Sequence, residues 1–207
     1  MERDEIAVKV KLRLDELGPF EEGQVIDSGR IDAFLDDSVK RLLSVVPPYI
    51  PTASSFLDIV SYPPVGSVAY DEFTGYVPLP SDFLKLVSFK MENWSRSVTE
   101  AISENDPRYK RQAYKETRGK FTKPVAVYRT KYGVGKVLDY YSVQSGEHTV
   151  EHGLYIAIVT AQNMDEELID PLTWIVAEAI LNTVGEGELA KAAFIKVTEW
   201  ISSKIGI

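Results

Sequence analysis

The only two histidines of this 207-residue chain sit in His148-Thr149-Val150-Glu151-His152, and the H-x-x-E-H order matches one group of zinc peptidases. That chemistry needs both imidazoles one turn apart on a single helix face, with the glutamate as base and a further ligand from elsewhere. Gly146 and Gly153 bracket the motif, and Thr149 and Val150 are poor helix formers. A hairpin turn presenting two exposed loop imidazoles is therefore expected. A zinc-dependent hydrolase using His148, Glu151 and His152 is the least favoured functional reading.

Other fingerprints lack their context. Gly185-Glu186-Gly187-Glu188-Leu189-Ala190 has dinucleotide-loop spacing but follows a helical pattern and sets two glutamates where a pyrophosphate would lie, so it reads as a helix C-cap and turn. Gly133-Val134-Gly135-Lys136 lacks the spacing and the Ser or Thr of a phosphate loop and reads as a hairpin turn. The pairs Asp36-Asp37, Glu21-Glu22 and Glu166-Glu167 fall on solvent faces or beside helix starts, where dipole and solubility account for them. No serine occupies a G-x-S-x-G elbow, and there is no cysteine to act as nucleophile, thiolate ligand or disulfide partner. No catalytic residue, metal site or cofactor is expected.

Acidic residues number 31 against 23 basic ones, a net charge of -8, which disfavours a protein that grips phosphate backbones. Lys110, Arg111, Lys115, Arg118, Lys120 and Lys123 crowd one stretch and read as a solvated face. With 44% apolar residues, a chain of this length buries about 70% of its unfolded surface, enough for one or two domains. No apolar run approaches the roughly 20 residues needed to cross a bilayer, and Met1 to Asp4 opens with charge. A soluble chain not secreted by the Sec route is expected, without a membrane partner.

The elements that must position these residues follow from hydrophobic period. Ile31, Phe34, Leu35, Val39, Leu42, Leu43 and Val46 recur at helical spacing, with Asp27 or Ser28 as cap and Pro47-Pro48 as stop. Residues 8–14 alternate like a strand, yet Ile6, Val10, Leu14 and Leu17 share a helical face; Gly18-Pro19 as stop and Asp4 as cap favour helix. Runs at 84–91, 125–129, 137–143 and 155–159 read as strands. The 95–118 stretch fits a short helix or a long loop. Near the C-terminus Asp170-Pro171 opens a helix with Leu172, Ile175, Val176, Ala179 and Ile180 on one face, ending at Gly185; a second runs over about 186–204. The predicted fold is α+β. Residues 1–55 and 160–207 form a helical bundle, and 56–159 form an inserted antiparallel β-rich domain, a small sheet or barrel.

Tyr76-Val77-Pro78-Leu79-Pro80-Ser81-Asp82-Phe83-Leu84-Lys85-Leu86 resembles the leucine-proline, acidic, phenylalanine-leucine segment of head-to-tail adaptor proteins of short-tailed bacteriophages. It is most similar to the neck ring proteins of crAss-like phages. Phe89, Trp94 and Val98 continue the pattern, as do Tyr109, Tyr114, Arg118-Gly119-Lys120 and Lys123-Pro124-Val125-Ala126-Val127-Tyr128. Leu14-Asp15-Glu16-Leu17, the helix from Ile31 and a closing pair through Trp174 and Trp200 extend the resemblance over nearly the whole chain.

The resemblance implies a structural virion protein, present in host cytoplasm during assembly. It would form a ring, usually of twelve copies, that joins the portal to other neck or tail proteins and lets DNA pass without specific binding. A ring needs two different complementary patches per subunit. Tyr62, Tyr70, Phe73, Tyr76, Tyr109, Tyr114, Tyr132, Tyr140 and Tyr141 are the aromatic candidates, about half of them expected in a β core. The interface set is Tyr70, Phe73, Tyr109, Lys110, Arg111, Tyr114 and Tyr132. Loops 61–75 and 132–153 are expected to reach adjacent rings. Leu79, Phe83, Leu86, Phe89 and Trp94 are expected in the core. A non-viral cytoplasmic protein-binding module is the alternative, since it would have the same composition.

Overall fold

The computed structural model describes residues 2–18, 27–48, 53–55 and 68–205. Glu21-Glu22, Tyr62 and residues 61–67 of the 61–75 loop lie outside the described residues. The helices are α1 (Arg3–Leu17), α2 (Ser28–Val45), the short α3 (Pro107–Arg111), α4 (Ile169–Val184) and α5 (Gly187–Ile205). The strands are β1 (Ala53–Ser55), β2 (Val68–Ala69), β3 (Thr74–Pro78), β4 (Phe83–Met91), β5 (Ile102–Ser103), β6 (Ala126–Lys131), β7 (Gly135–Tyr141) and β8 (Val150–Ala157). The fold is α+β, with helices at both ends and sheets between. It divides into a helical unit, Met1–Thr52 with Ile158–Ile207, and a β unit, Ala53–Ala157. No helix of the described residues is long and apolar enough to cross a membrane.

In the helical unit the ambiguous opening segment is α1, because Ile6, Val10 and Leu14 become one buried stripe. Its N-cap is Glu2, whose N–H is taken by the Glu5 carboxylate at 3.1 Å, so Asp4 lies within the first turn instead of capping it. Asp27 caps α2 by accepting the Arg30 N–H at 2.7 Å, and the helix stops ahead of Pro47, which excludes helical backbone at Val46. Helix α4 packs against α1, α2 and α5 and is buried far beyond the single expected face, including Thr173, Trp174, Ala177 and Leu181. It begins one residue before Asp170. A single turn, Glu166–Leu168, capped by the Asp165 carboxylate, leads into it. Pro171 therefore falls in the first turn, where an N–H has no helical partner anyway. Gly185 closes α4 at φ 88°, the left-handed region open to glycine.

Arg13 and Arg41 of the N-terminal helices form ion pairs with carboxylates of α4. Arg13 of α1 pairs with Asp170 and lies 4.9 Å from the Trp174 ring centre. Arg41 of α2 reaches both oxygens of the buried Glu178, at 2.6 and 2.9 Å, and lies 5.3 Å from the Phe194 ring centre.

The β unit holds two sheets, of order β1-β8-β4 and β2-β3-β7-β6-β5. Among the described residues all strand pairings are antiparallel except β5 with β6. This departs from the single antiparallel sheet or barrel expected, because a parallel pair needs a crossover, and residues 104–125 supply one with α3 inside it. Both sheets contribute to one core, in which Phe83, Leu86, Phe89 and Trp94 meet Val77, Ala126, Leu138 and Tyr140, with Leu79 at its edge. Phe89 and Trp94 form an edge-to-face pair 5.5 Å apart.

Within the crossover, Lys120 and Lys123 exchange backbone hydrogen bonds at 3.1 and 2.8 Å, folding Gly119 against Val125. A Cβ at Gly119 would lie 3.0 Å from the Val125 nitrogen and 3.1 Å from the Lys123 carbonyl, both backbone atoms that cannot rotate aside. Gly119→Ala is expected to lower stability by about 1–3 kcal/mol, read as a shift in the urea midpoint.

Candidate functional site

Strand alternation gives the five-stranded sheet two unlike faces. Val77, Leu138, Tyr140 and Ala126 belong to the shared core. The intervening positions place Tyr76, Asp139, Val127, Arg129 and Tyr141 on the other face, with Tyr76, Asp139 and Val127 in direct register. Tyr76, Tyr140 and Tyr141 are thus buried, which removes them from the exposed aromatic candidates.

Asp139 has no exposed surface. It accepts a hydrogen bond from the Tyr70 hydroxyl at 2.8 Å and one from Arg129 Nη1 at 3.0 Å. Arg129 also donates through Nε to Glu104 at 2.7 Å, and its guanidinium lies 5.8 Å from the Tyr109 ring centre. Tyr70 and Tyr76 stand 5.3 Å apart, with the Lys131 ammonium 4.1 and 3.8 Å from their ring centres. Burial, reinforced by the hydrogen bond to Asp139, raises the Tyr70 hydroxyl well above its ordinary range. Burial and then the Asp139 charge do the same for Tyr141. On the core side, burial pushes Tyr128 up to about 12, and burial with the Asp82 hydrogen bond does so for Tyr155.

Helix α3 stands beside this face. Asp106 caps it, accepting the Arg108 N–H at 2.8 Å, and the Arg108 guanidinium with that N–H holds the carboxyl at about 2. Buried Gln112 donates to the Arg108 carbonyl at 2.9 Å and accepts the Gly119 N–H at 2.8 Å, pinning the crossover onto α3. The result is a hollow of about 390 Å³ lined by Tyr109, Lys110, Ala113, Tyr114 and Tyr141.

Three of the seven interface candidates, Tyr109, Lys110 and Tyr114, therefore surround one hollow, and Arg111 is exposed on the same helix. Tyr70 belongs to the Asp139 network. Phe73 is half-buried under Lys115, 5.2 Å from ammonium to ring centre, in a separate hollow of about 300 Å³. Tyr132 stands alone and fully exposed at the tip of the β6–β7 hairpin, where Gly133 and Gly135 take positive φ. Asp139, Arg129 and Gln112 were not singled out in the sequence. A lone carboxylate in Val137-Leu138-Asp139-Tyr140-Tyr141 was the available signal, since such a charge needs a partner; Gln112 carried none.

The 148–152 motif is neither helical nor a loop with exposed imidazoles. Strand β8 begins at Val150, earlier than the expected 155–159 run, so His152 lies in a strand, and both histidines are half-buried. His148 Nδ1 lies 2.9 Å from the Tyr140 hydroxyl. His152 Nε2 lies 2.9 Å from Ser88 Oγ and 3.4 Å from Ser97 Oγ. Glu151 is 3.9 Å from His152 Nδ1, beyond hydrogen-bond reach, and pairs with Lys90 at 2.6 Å. Among the described residues no three His, Asp or Glu side chains converge on a common metal position.

No protein-family model matches the chain, and no curated protein matches it in sequence.

Removing the shared acceptor by Asp139→Ala is expected to cost about 2 kcal/mol, a value tempered by the partial exposure of Arg129, against about 1 kcal/mol for Tyr70→Phe; urea unfolding of both variants reads the difference. A hydroxyl whose folded pKa is raised favours folding below its unfolded value near 10, and that contribution is lost as pH rises through the folded value. Tyrosinate absorbance should therefore show Tyr70, Tyr128, Tyr141 and Tyr155 ionising above the ordinary tyrosine range, with stability falling from pH about 10 to about 12.

Proposed function

We propose that this chain is a structural subunit of a phage neck, assembling with copies of itself into a ring between the portal and the tail. The observation that carries this reading is the display of aromatic side chains on a braced frame. Tyr132 is fully exposed, Tyr114 is 66% exposed and Tyr70 44%, yet each stands on an element held by paired strands or by the Asp139 and Gln112 networks. Exposed tyrosines beside an arginine are the composition of protein–protein contact surfaces. The resemblance of the 76–86 segment to neck ring proteins supports the same reading, and the net charge of -8 suits a lumen past which DNA slides without being gripped.

In this reading the β6–β7 hairpin reaches along the ring axis, with Tyr132 and Val134 at its tip. Native mass spectrometry and electron microscopy of the protein mixed with its portal should give closed rings, expected to be twelvefold. Monomers or dimers alone, with and without portal, would leave the cytoplasmic protein-binding module as the better reading. Tyr132→Ser should leave the melting temperature unchanged and weaken portal capture about tenfold.

A further inference from the structure

Charge is divided unequally between the two units. Of the 31 acidic and 23 basic residues, 19 and 10 fall in the helical unit, leaving 12 and 13 in the β unit. The β unit's basic side chains concentrate in residues 95–123, which hold Arg96, Arg108, Lys110, Arg111, Lys115, Arg118, Lys120 and Lys123 against Glu100, Glu104, Asp106 and Glu116. Arg108 is engaged by Asp106; among the described residues Lys110 and Arg111, both exposed, have no carboxylate partner.

A matching surface of opposite sign lies on α1. Its inner face buries Ile6, Val10 and Leu14. Its outer face carries Asp4, Val8, Leu12 and Asp15, whose spacing sets them within about 80° of one another at 100° per residue. Val8 is 58% and Leu12 56% exposed, and among the described residues Asp4 and Asp15 have no cationic partner. Glu5 and Glu16 extend the acidic edge; Lys9 and Lys11 border it. The stripe is aliphatic with carboxylates at both ends. The hollow is aromatic, with Lys110 in its lining and Arg111 exposed on the same helix.

We propose that the α1 stripe of one copy docks into the Tyr109–Tyr114–Tyr141 hollow of a second copy, with Lys110 and Arg111 meeting Asp4 and Asp15. The inference rests on the self-assembling reading above. A contact between unlike surfaces leaves the hollow of one copy and the stripe of the other unfilled, so it propagates from copy to copy and closes into a ring where the rotation permits. Asp4, Leu12, Asp15, Lys110 and Arg111 are all exposed, so altering them spares the two cores.

Sedimentation velocity of the full chain tests the contact. Self-association is expected to weaken from low to high salt, because its charge pairs lie at an exposed rim. Lys110→Glu with Arg111→Glu, and separately Asp4→Lys with Asp15→Lys, should each weaken association about tenfold. The chain carrying all four changes should recover to within about threefold. Leu12→Ser, with a melting curve like that of the unaltered chain, should weaken association without changing its salt dependence. A chain that stays monomeric at every salt concentration, a charge-reversed variant that associates normally, or a fourfold variant no better than the pairs would each overturn the contact. Rings formed on a portal by the charge-reversed variants would remove this contact and leave the ring reading standing. Rescue by the fourfold variant without any ring on a portal would do the reverse.

Discussion

A carboxylate with no exposed surface must be met by donors, and Asp139 fixes the outer face of the five-stranded sheet for that reason. Apolar contacts in the core behind it tolerate small slides; a hydrogen bond at 2.8 or 3.0 Å does not. Tyr70 is therefore held against the sheet, and Arg129 is aimed so that its Nε–H meets Glu104. Glu104 opens the crossover that carries α3, so a single buried charge sets where the least regular part of the β unit begins. Gln112 and Gly119 then set where it turns back.

The helical unit meets the same problem at its central helix. Helix α4 is apolar nearly all round, and hydrophobic burial alone does not specify how neighbours are rotated about it. Arg13 and Arg41 add direction, each pairing with a carboxylate of α4 while its planar guanidinium lies near an aromatic ring. Lysine would keep the charge and lose the planar fork. The helical surface left over is acidic, whereas the β unit is almost neutral overall with a basic crossover.

Both ends of the chain were legible because their apolar residues keep a helical period over several turns and stop at Pro47 and Gly185. Strands β4, β6 and β7 were legible from alternation and turn residues. Strand β5 was not, since Ile102–Ser103 is too short to show any period and its partner lies across the crossover. Tyrosine was the least readable residue type. Tyr140 and Tyr141 are adjacent on β7 and point to opposite faces, and both are buried, whereas Tyr132 nine residues earlier than Tyr141 is fully exposed. Only strand register separates these cases, and composition does not contain it. The site was half-legible for the same reason. Tyr109, Lys110 and Tyr114 were named from residue type, but their meeting around Tyr141 depends on Asp139, Arg129 and Gln112.

The helical unit is discontinuous along the chain, with α1 and α2 encoded before the β unit and α4 and α5 after it. During synthesis the β unit leaves the ribosome as one uninterrupted segment and can close its core at once. The stripes Ile6–Val10–Leu14 and Ile31–Leu35–Leu42 have no such option, because the helix that covers them is not made until residue 184 has been added. The two N-terminal helices must wait with apolar faces open, and a chain cut short after the β unit would hold a finished sheet pair beside an unpaired, adhesive helical hairpin.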